Sequence, residues 1–185
     1  MSTLHVENLK GLSSGGNANK IIVPSGQTLD ASAGVLTPSA GQVVQELVTK
    51  ITSNTSFSST SYTDASGFAL TITPKYASSK IIISYWAKTG LNNTNANAGQ
   101  DYRILRDSTA IESARWQNYF NMSDYTADYY PPLDGTFIDE PNTTSAVLYK
   151  LQGRKYDGDA SSANWGFDSC GGSIGYFFAV KELKQ

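Results

Sequence analysis

The run Gly67 to Ala87, GFALTITPKYASSKIIISYWA, narrows most sharply what this chain can fold into. Phe68, Leu70 and Ile72 alternate with Ala69, Thr71 and Thr73. Successive side chains of a strand point to opposite faces, so the alternation predicts a strand with one apolar face and one small, polar face. Pro74 ends it, because proline has no N–H to give to a ladder. Lys75 to Ser79 reads as a short loop. Lys80 to Trp86, KIIISYW, is the most β-prone stretch, rich in β-branched and aromatic residues. Both of its faces are apolar. It is therefore expected to be central in its sheet. One side, Ile82/Trp86 or Ile81/Ile83/Tyr85, is expected to face the inner core, and the other a neighbouring subunit. A half-buried strand, a loop and a nearly fully apolar strand predict a sheet covered by a second layer, as in a sandwich or barrel.

Composition agrees. A length of 185 residues suits one ordinary domain with a short appendage. Only 16% of residues are charged, whereas Gly, Ser, Thr, Asn and Tyr abound. That is an all-β, turn-rich composition, polar through hydroxyls and amides more than through charge. The net charge is −2 and no Lys/Arg cluster exists, which argues against nucleic-acid binding. The longest apolar run falls far short of the ~20 residues a membrane helix needs, so no membrane insertion is expected. The start, MSTLHVENLK, lacks the apolar core of a signal peptide, so synthesis and folding in a cytoplasm are expected. The single cysteine is Cys170 and the single histidine is His5. No intrachain disulfide is possible. A Ser-His-Asp or Cys-His site would have to use His5, and a zinc site would have only these two beside carboxylates. No enzyme, cofactor or metal is expected.

Residues 1–41 differ from the rest. They hold six glycines and two prolines but no Phe, Trp or Tyr. Their apolar clusters are short: Leu4/Val6, Leu9/Leu12, Ile21-Ile22-Val23, Leu29 and Val35-Leu36. Such clusters bury no core alone. The segment reads as an extended arm on a partner, or as short strands packing with copies from other chains; the plainer reading is a disordered tail. Thr37 to Gly41 marks the boundary with a domain over 42–185. Gln42 to Thr52, QVVQELVTKIT, has helical apolar spacing but a strand-like wealth of Val, Ile and Thr, and is read as a strand. Ser53 to Ser66 reads as a loop or edge strand. Thr89 to Gln100, Glu112 to Pro132 and Arg154 to Cys170 read as irregular or polar loops. Between them, strands are expected over Asp101 to Ile111, turning at Arg106-Asp107-Ser108, and over Ser145 to Gly153. In the latter, Val147, Tyr149 and Leu151 form the more apolar face. Gly171 to Leu183 is a final strand, expected to pair with an early one. Roughly eight strands with regular turns predict a jelly-roll-like antiparallel sandwich.

The sharpest local feature is the aromatic segment Trp116, Tyr119, Tyr125, Tyr129 and Tyr130, with Trp165 beyond it. Flat rings with polar handles suit sugars and protein interfaces alike, so a receptor contact and a core or subunit contact both stand. Asp134, Asp139 and Glu140 lie close in sequence, but nothing places two of them across a cleft, and they read as a solvated turn. Asp157-Gly158-Asp159 and Asp124/Asp128 lack the spacing of a calcium loop. Gly171-Gly172 lacks the lysine and helix of a phosphate loop.

In its order of motifs the chain resembles fibre-like structural proteins of tailed phages, marine and cyanobacterial ones above all. The resemblance rests on Ser2 to Leu9, Gly15 to Asp30 and Pro38 to Gln45. It continues in Leu70 to Pro74, Ser78 to Ile81, Arg103 to Ile111 and Asp139 to Ala146. It implies a homotrimeric virion protein whose N-terminal arm, carrying Leu4, Val6, Leu9, Ile21, Ile22, Val23 and Leu29, docks on other virion proteins of the capsid or tail. It further implies a C-terminal jelly-roll head of TNF/C1q-like outline that meets a host surface glycan or receptor. It implies no catalytic residues.

Overall fold

The computed structural model describes residues 13–16, 20–28, 37–93, 97–121, 128–129, 131–155, 160–166 and 176–185. The chain divides into two units, Met1–Thr37 and Pro38–Gln185. In the first, Gln27 N–H donates to the Pro24 carbonyl at 3.1 Å and closes a turn. Gly26 takes φ 81° there, a left-handed conformation that glycine adopts without strain. Ile21, Ile22 and Val23 are 56%, 55% and 42% exposed.

The second unit is all-β, and none of its described residues is helical. Its strands are β1 (Val43–Ile51), β2 (Thr55–Phe57), β3 (Thr63–Ile72), β4 (Lys80–Asn93), β5 (Asn97–Arg106) and β6 (Thr109–Asn121). They continue as β7 (Asp128–Tyr129), β8 (Pro132–Asp139), β9 (Val147–Lys155), β10 (Ala160–Gly166) and β11 (Tyr176–Leu183). One sheet orders β1-β11-β4-β10-β2, with β7 and β8 also on β4. The other orders β3-β9-β5-β6. All pairings are antiparallel.

Long β4 explains the first sheet. Its first half pairs β11 through Lys80 to Trp86, and its second half pairs β10 through Lys88 to Asn93. Leu91 pairs both Ala163 of β10 and Tyr129 of β7, so those two strands flank it on opposite sides. β7 and β8 therefore form one row, β10 and β11 another, and β1 and β2 a third. Counted as rows in chain order, this sheet runs one-eight-three-six and the other two-seven-four-five. That is a jelly roll, two Greek keys closed into two facing sheets. The sandwich expectation holds, and β4 is central as its two apolar faces predicted.

The core lies between the sheets. Ile81, Ile83, Tyr85 and Ala87 of β4 point inward and are buried. They share one cluster with Phe68 and Ile72 of β3, Tyr102 and Ile104 of β5, and Tyr149 and Leu151 of β9. Phe68 meets Phe178 of β11 edge-to-face, centroids 6.3 Å apart. Alternation along β3 is as read: Phe68 and Ile72 are buried while Ala69, Thr71 and Thr73 are exposed. Val147, Tyr149 and Leu151 are likewise the buried face of β9. Gly135 of β8 sits opposite Tyr85, whose ring lies where a Cβ would be, at 2.5 Å from the hydroxyl oxygen.

Three expected loops are in part strand. β4 runs to Asn93 and β5 starts at Asn97, so much of the Thr89–Gln100 stretch is hairpin. β6 runs to Asn121 within the stretch read as irregular, and β10 occupies the middle of Arg154–Cys170. Their backbones pair with neighbours whatever their side chains, so polar composition hid them. The ambiguous Gln42–Thr52 stretch forms β1, with Ile51 buried and Glu46, Val48 and Lys50 exposed.

Candidate functional site

The head has two unlike ends. At one, which we call the base, the chain enters. Gly41 N–H donates to the Lys184 carbonyl at 2.8 Å, and Lys184 N–H donates to the Gln42 carbonyl at 3.0 Å. Lys184 Nζ donates to the Pro38 carbonyl at 2.7 Å and lies 4.5 Å from the Tyr76 ring centroid. Just inside sits the fully buried carboxylate of Glu182. It accepts from Lys75 N–H at 2.8 Å, Tyr76 N–H at 3.1 Å, the Ser79 hydroxyl at 2.7 Å and Gln45 Nε2 at 2.7 Å. Burial works to raise its pKa, but the hydrogen bonds from Lys75, Ser79, Gln45 and Tyr76 outweigh it and hold the carboxyl below its usual value. Glu182 thus clasps the β3–β4 connection onto the last strand. Lysine and glutamate at a chain terminus look like solvent residues in sequence, and their partners lie a hundred positions away.

The base also carries the turn at Asp107, φ 55°, and Asn142, φ 53°. Asp139, read as part of a solvated turn, is instead nearly buried. It pairs with Arg106 Nη1 at 3.0 Å and accepts from the Tyr149 hydroxyl at 2.6 Å. Burial, then that bond, pushes the Tyr149 hydroxyl's pKa upward. Glu140 meets Lys80 at 3.4 Å and Asp134 is exposed on β8, so the three carboxylates go separate ways.

At the far end lie the strand ends Asn93, Asn97, Asn121, Asp128, Lys155 and Ala160. Here the structure places several aromatic candidates. Trp116 and Tyr119 are on β6, with Tyr119 opposite Gly99. Tyr129 on β7 pairs Leu91 of β4, and Trp165 on β10 pairs Thr89. The fold thus brings Tyr129 and Trp165 to rows flanking one strand. Tyr125 and Tyr130 lie outside the described residues, as do Leu4, Val6, Leu9 and Leu29 of the arm, and His5 and Cys170. Two buried polar groups brace this end. Thr89 donates its N–H and its hydroxyl to the Pro131 carbonyl, at 2.8 and 3.0 Å. Gln100 Nε2 donates to the Gly90 carbonyl at 3.0 Å, and Gln100 Oε1 accepts from the Tyr102 hydroxyl.

The two outer faces differ as well. That of the β3-β9-β5-β6 sheet is a mesh of charge and hydrogen bonds. Arg154 Nη2 meets the fully buried Asp101 at 2.6 Å, and Lys150 meets Asp64 at 2.8 Å. Arg103 Nε donates to Gln152 at 2.7 Å. Both guanidinium groups lie over the Tyr62 ring, at 4.1 and 4.7 Å. The Lys150 bond, ahead of the opposing effect of burial, lowers the pKa of Asp64.

The outer face of the other sheet is a groove of about 660 Å³ lined by Val48, Ser84, Trp86, Asp134, Phe177 and Lys181 among others. Sequence inspection missed it because its residues come from β1, β4, β8 and β11. Trp86 is half-buried, its ring 5.3 Å from that of Tyr176. Glu46 and Lys181 pair at 3.1 Å. Among the described residues no group of three or more His, Cys, Asp or Glu could hold a metal ion.

No protein-family model matches the chain, and no curated protein matches it in sequence. Among solved structures it is similar to the VP2 subviral particle of infectious bursal disease virus: 12% identity, TM-score 0.45, covering 86% of this chain. The chain spans 37% of that protein's length. The Gt strain of the same virus gives 13% identity and a TM-score of 0.40, over 88% of this chain and 42% of the other. A xylan-binding domain from Paenibacillus barcinonensis gives 14% identity and a TM-score of 0.29, over 80% and 99%.

Proposed function

We propose that the protein is a non-enzymatic component of a phage virion, a homotrimer whose arm docks on the particle and whose head projects towards the host surface. One observation carries this reading: the head is polar along its length. The chain enters at the base, where Lys184 ties down Pro38 and Gln42. The strands that bear the aromatic candidates Trp116, Tyr119 and Tyr129 run out to the opposite end. Such a layout holds a head by one end and presents the other. The order of motifs shared with phage fibre proteins supports the virion role. Trimerisation has a motive in the arm. Ile21, Ile22 and Val23 are exposed in the single chain, and other copies would bury them. Three heads on one stalk would also raise avidity for a repeated glycan.

The test is binding of the full-length chain to host cells and to a glycan array. Binding is expected, and it should fall at least tenfold when Trp116 and Tyr119 are both replaced by alanine. A chain that attaches to particles yet binds neither cells nor glycans would be a structural connector instead. Cleavage of a polysaccharide would overturn the non-enzymatic reading.

A further inference from the structure

We infer that the outer face of the β1-β11-β4-β8 sheet is where copies of this chain meet, β1 of one copy against β8 of the next. The inference rests on the trimer reading and names the surface that builds it. In the head, Val43, Val48, Ile138 and Phe177 are 53%, 58%, 55% and 36% exposed. They are the large apolar side chains that stand out into solvent among its described residues, and all belong to strands of this one sheet. Among the described residues the opposite outer face has none; it carries ion pairs and Tyr62 under two guanidinium groups. An apolar patch confined to one face of a head marks an interaction surface.

The register shows how the patch is built. Val48, Ala179, Ser84 and Thr136 form one row across four strands. The adjacent row is Lys50, Phe177, Trp86 and Asp134. The row beyond Val48 is Glu46, Lys181, Ile82 and Ile138. Small residues floor the middle, and Trp86 with Phe177 stands beside it. This gives the groove depth enough for a neighbour's side chains.

Charge selects a second copy as the occupant. The row through Trp86 begins with a cation, Lys50, on edge strand β1 and ends with an anion, Asp134, on edge strand β8. Both are exposed. One copy's β1 edge thus complements the next copy's β8 edge. A contact between different patches of identical chains is heterologous, and it closes into a ring when the rotation allows. A three-fold ring would turn the three apolar faces towards a common axis and cover Val48, Ile138 and Phe177 together.

The test uses the full chain in three forms. Light scattering of the wild type should give three times the 19.9 kDa chain mass. A Val48→Glu, Ile138→Glu variant changes only exposed positions and puts like charges on the two facing edges. It should keep its fold by circular dichroism and dissociate at a concentration at least tenfold higher than the wild type. A Lys50→Cys, Asp134→Cys variant in a Cys170→Ser background should form interchain disulfides up to a covalent trimer. Within one chain these positions lie three strand spacings apart, roughly 14 Å, beyond the roughly 4.4–6.8 Å a disulfide spans. A trimeric wild type with no cross-link and an unperturbed charge variant would overturn the assignment of this face while leaving the trimer. A monomeric wild type would overturn both. A trimer whose tryptophan fluorescence responds to added saccharide, with that response lost in Trp86→Ala, would give the groove to a ligand and overturn the inference.

Discussion

Glu182 shows what a single residue does here. Its carboxylate holds two backbone N–H groups, a hydroxyl and an amide in a dry pocket, so the connection before β4 is fixed to the strand after it. Because its folded pKa lies below the usual 4.5, its contribution is fully present above pH 4.5 and fades as pH falls through the lower folded value. Asp64 shifts in the same direction, though on an exposed surface where screening keeps its share small. Denaturant melts between pH 7 and pH 3 are therefore expected to show stability falling on the acid side. Glu182→Gln should lower stability at pH 7 by about 1–3 kcal/mol, the cost of mismatching a buried hydrogen-bonded group, and should flatten the acid slope. An unchanged slope would remove Glu182 from the account. Sequence could not show this residue. Nothing in KELKQ marks one carboxylate as buried, and its donors at positions 45, 75, 76 and 79 are remote. Gly135 is hidden for the same reason, since only the paired register reveals Tyr85 lying across it.

At the level of strands, local pattern carried most of the information. The alternation of Phe68, Leu70 and Ile72 and the apolar run Ile81 to Trp86 locate β3 and the first half of β4 and assign the inner face of β3. Because β4 is apolar on both faces, only the fold shows that Ile81, Ile83 and Tyr85 turn inward. Phe68→Ala should cost about 3–5 kcal/mol, while Thr71→Val, on the exposed face of the same strand, should stay within about 0.5 kcal/mol. Equal losses at both positions would contradict the register. Where pattern failed, the strands were polar ones near the far end: the second half of β4, the outer part of β6, and β10. Their residues, Asn92, Asn93 and Ser162 among them, do not advertise a strand. They become strands because the neighbouring backbone offers a ladder. The same blindness hid the groove, whose parts are single residues on four strands, and the role of Asp139, which sequence proximity to Asp134 and Glu140 disguised.

For the whole molecule, the jelly roll sorts the chain's properties by place. The chain enters at the base, and the strands that bear Trp116, Tyr119 and Tyr129 run towards the far end. Among the described residues, charge meshes one outer face while exposed apolar side chains lie on the other. No catalytic constellation enters this account; the functional reading rests on which end is held and which is offered. The resemblance to phage fibre proteins implies a held and an offered end, but it does not say which sheet copies would share. The most direct measurement is a cryo-electron-microscopy map of particles that carry the protein. The account predicts three heads around a common axis, the base with Pro38 and Lys184 towards the particle and the strand ends at Asn93, Asn121 and Lys155 outward. A single isolated head, or heads with those ends facing the particle, would contradict it.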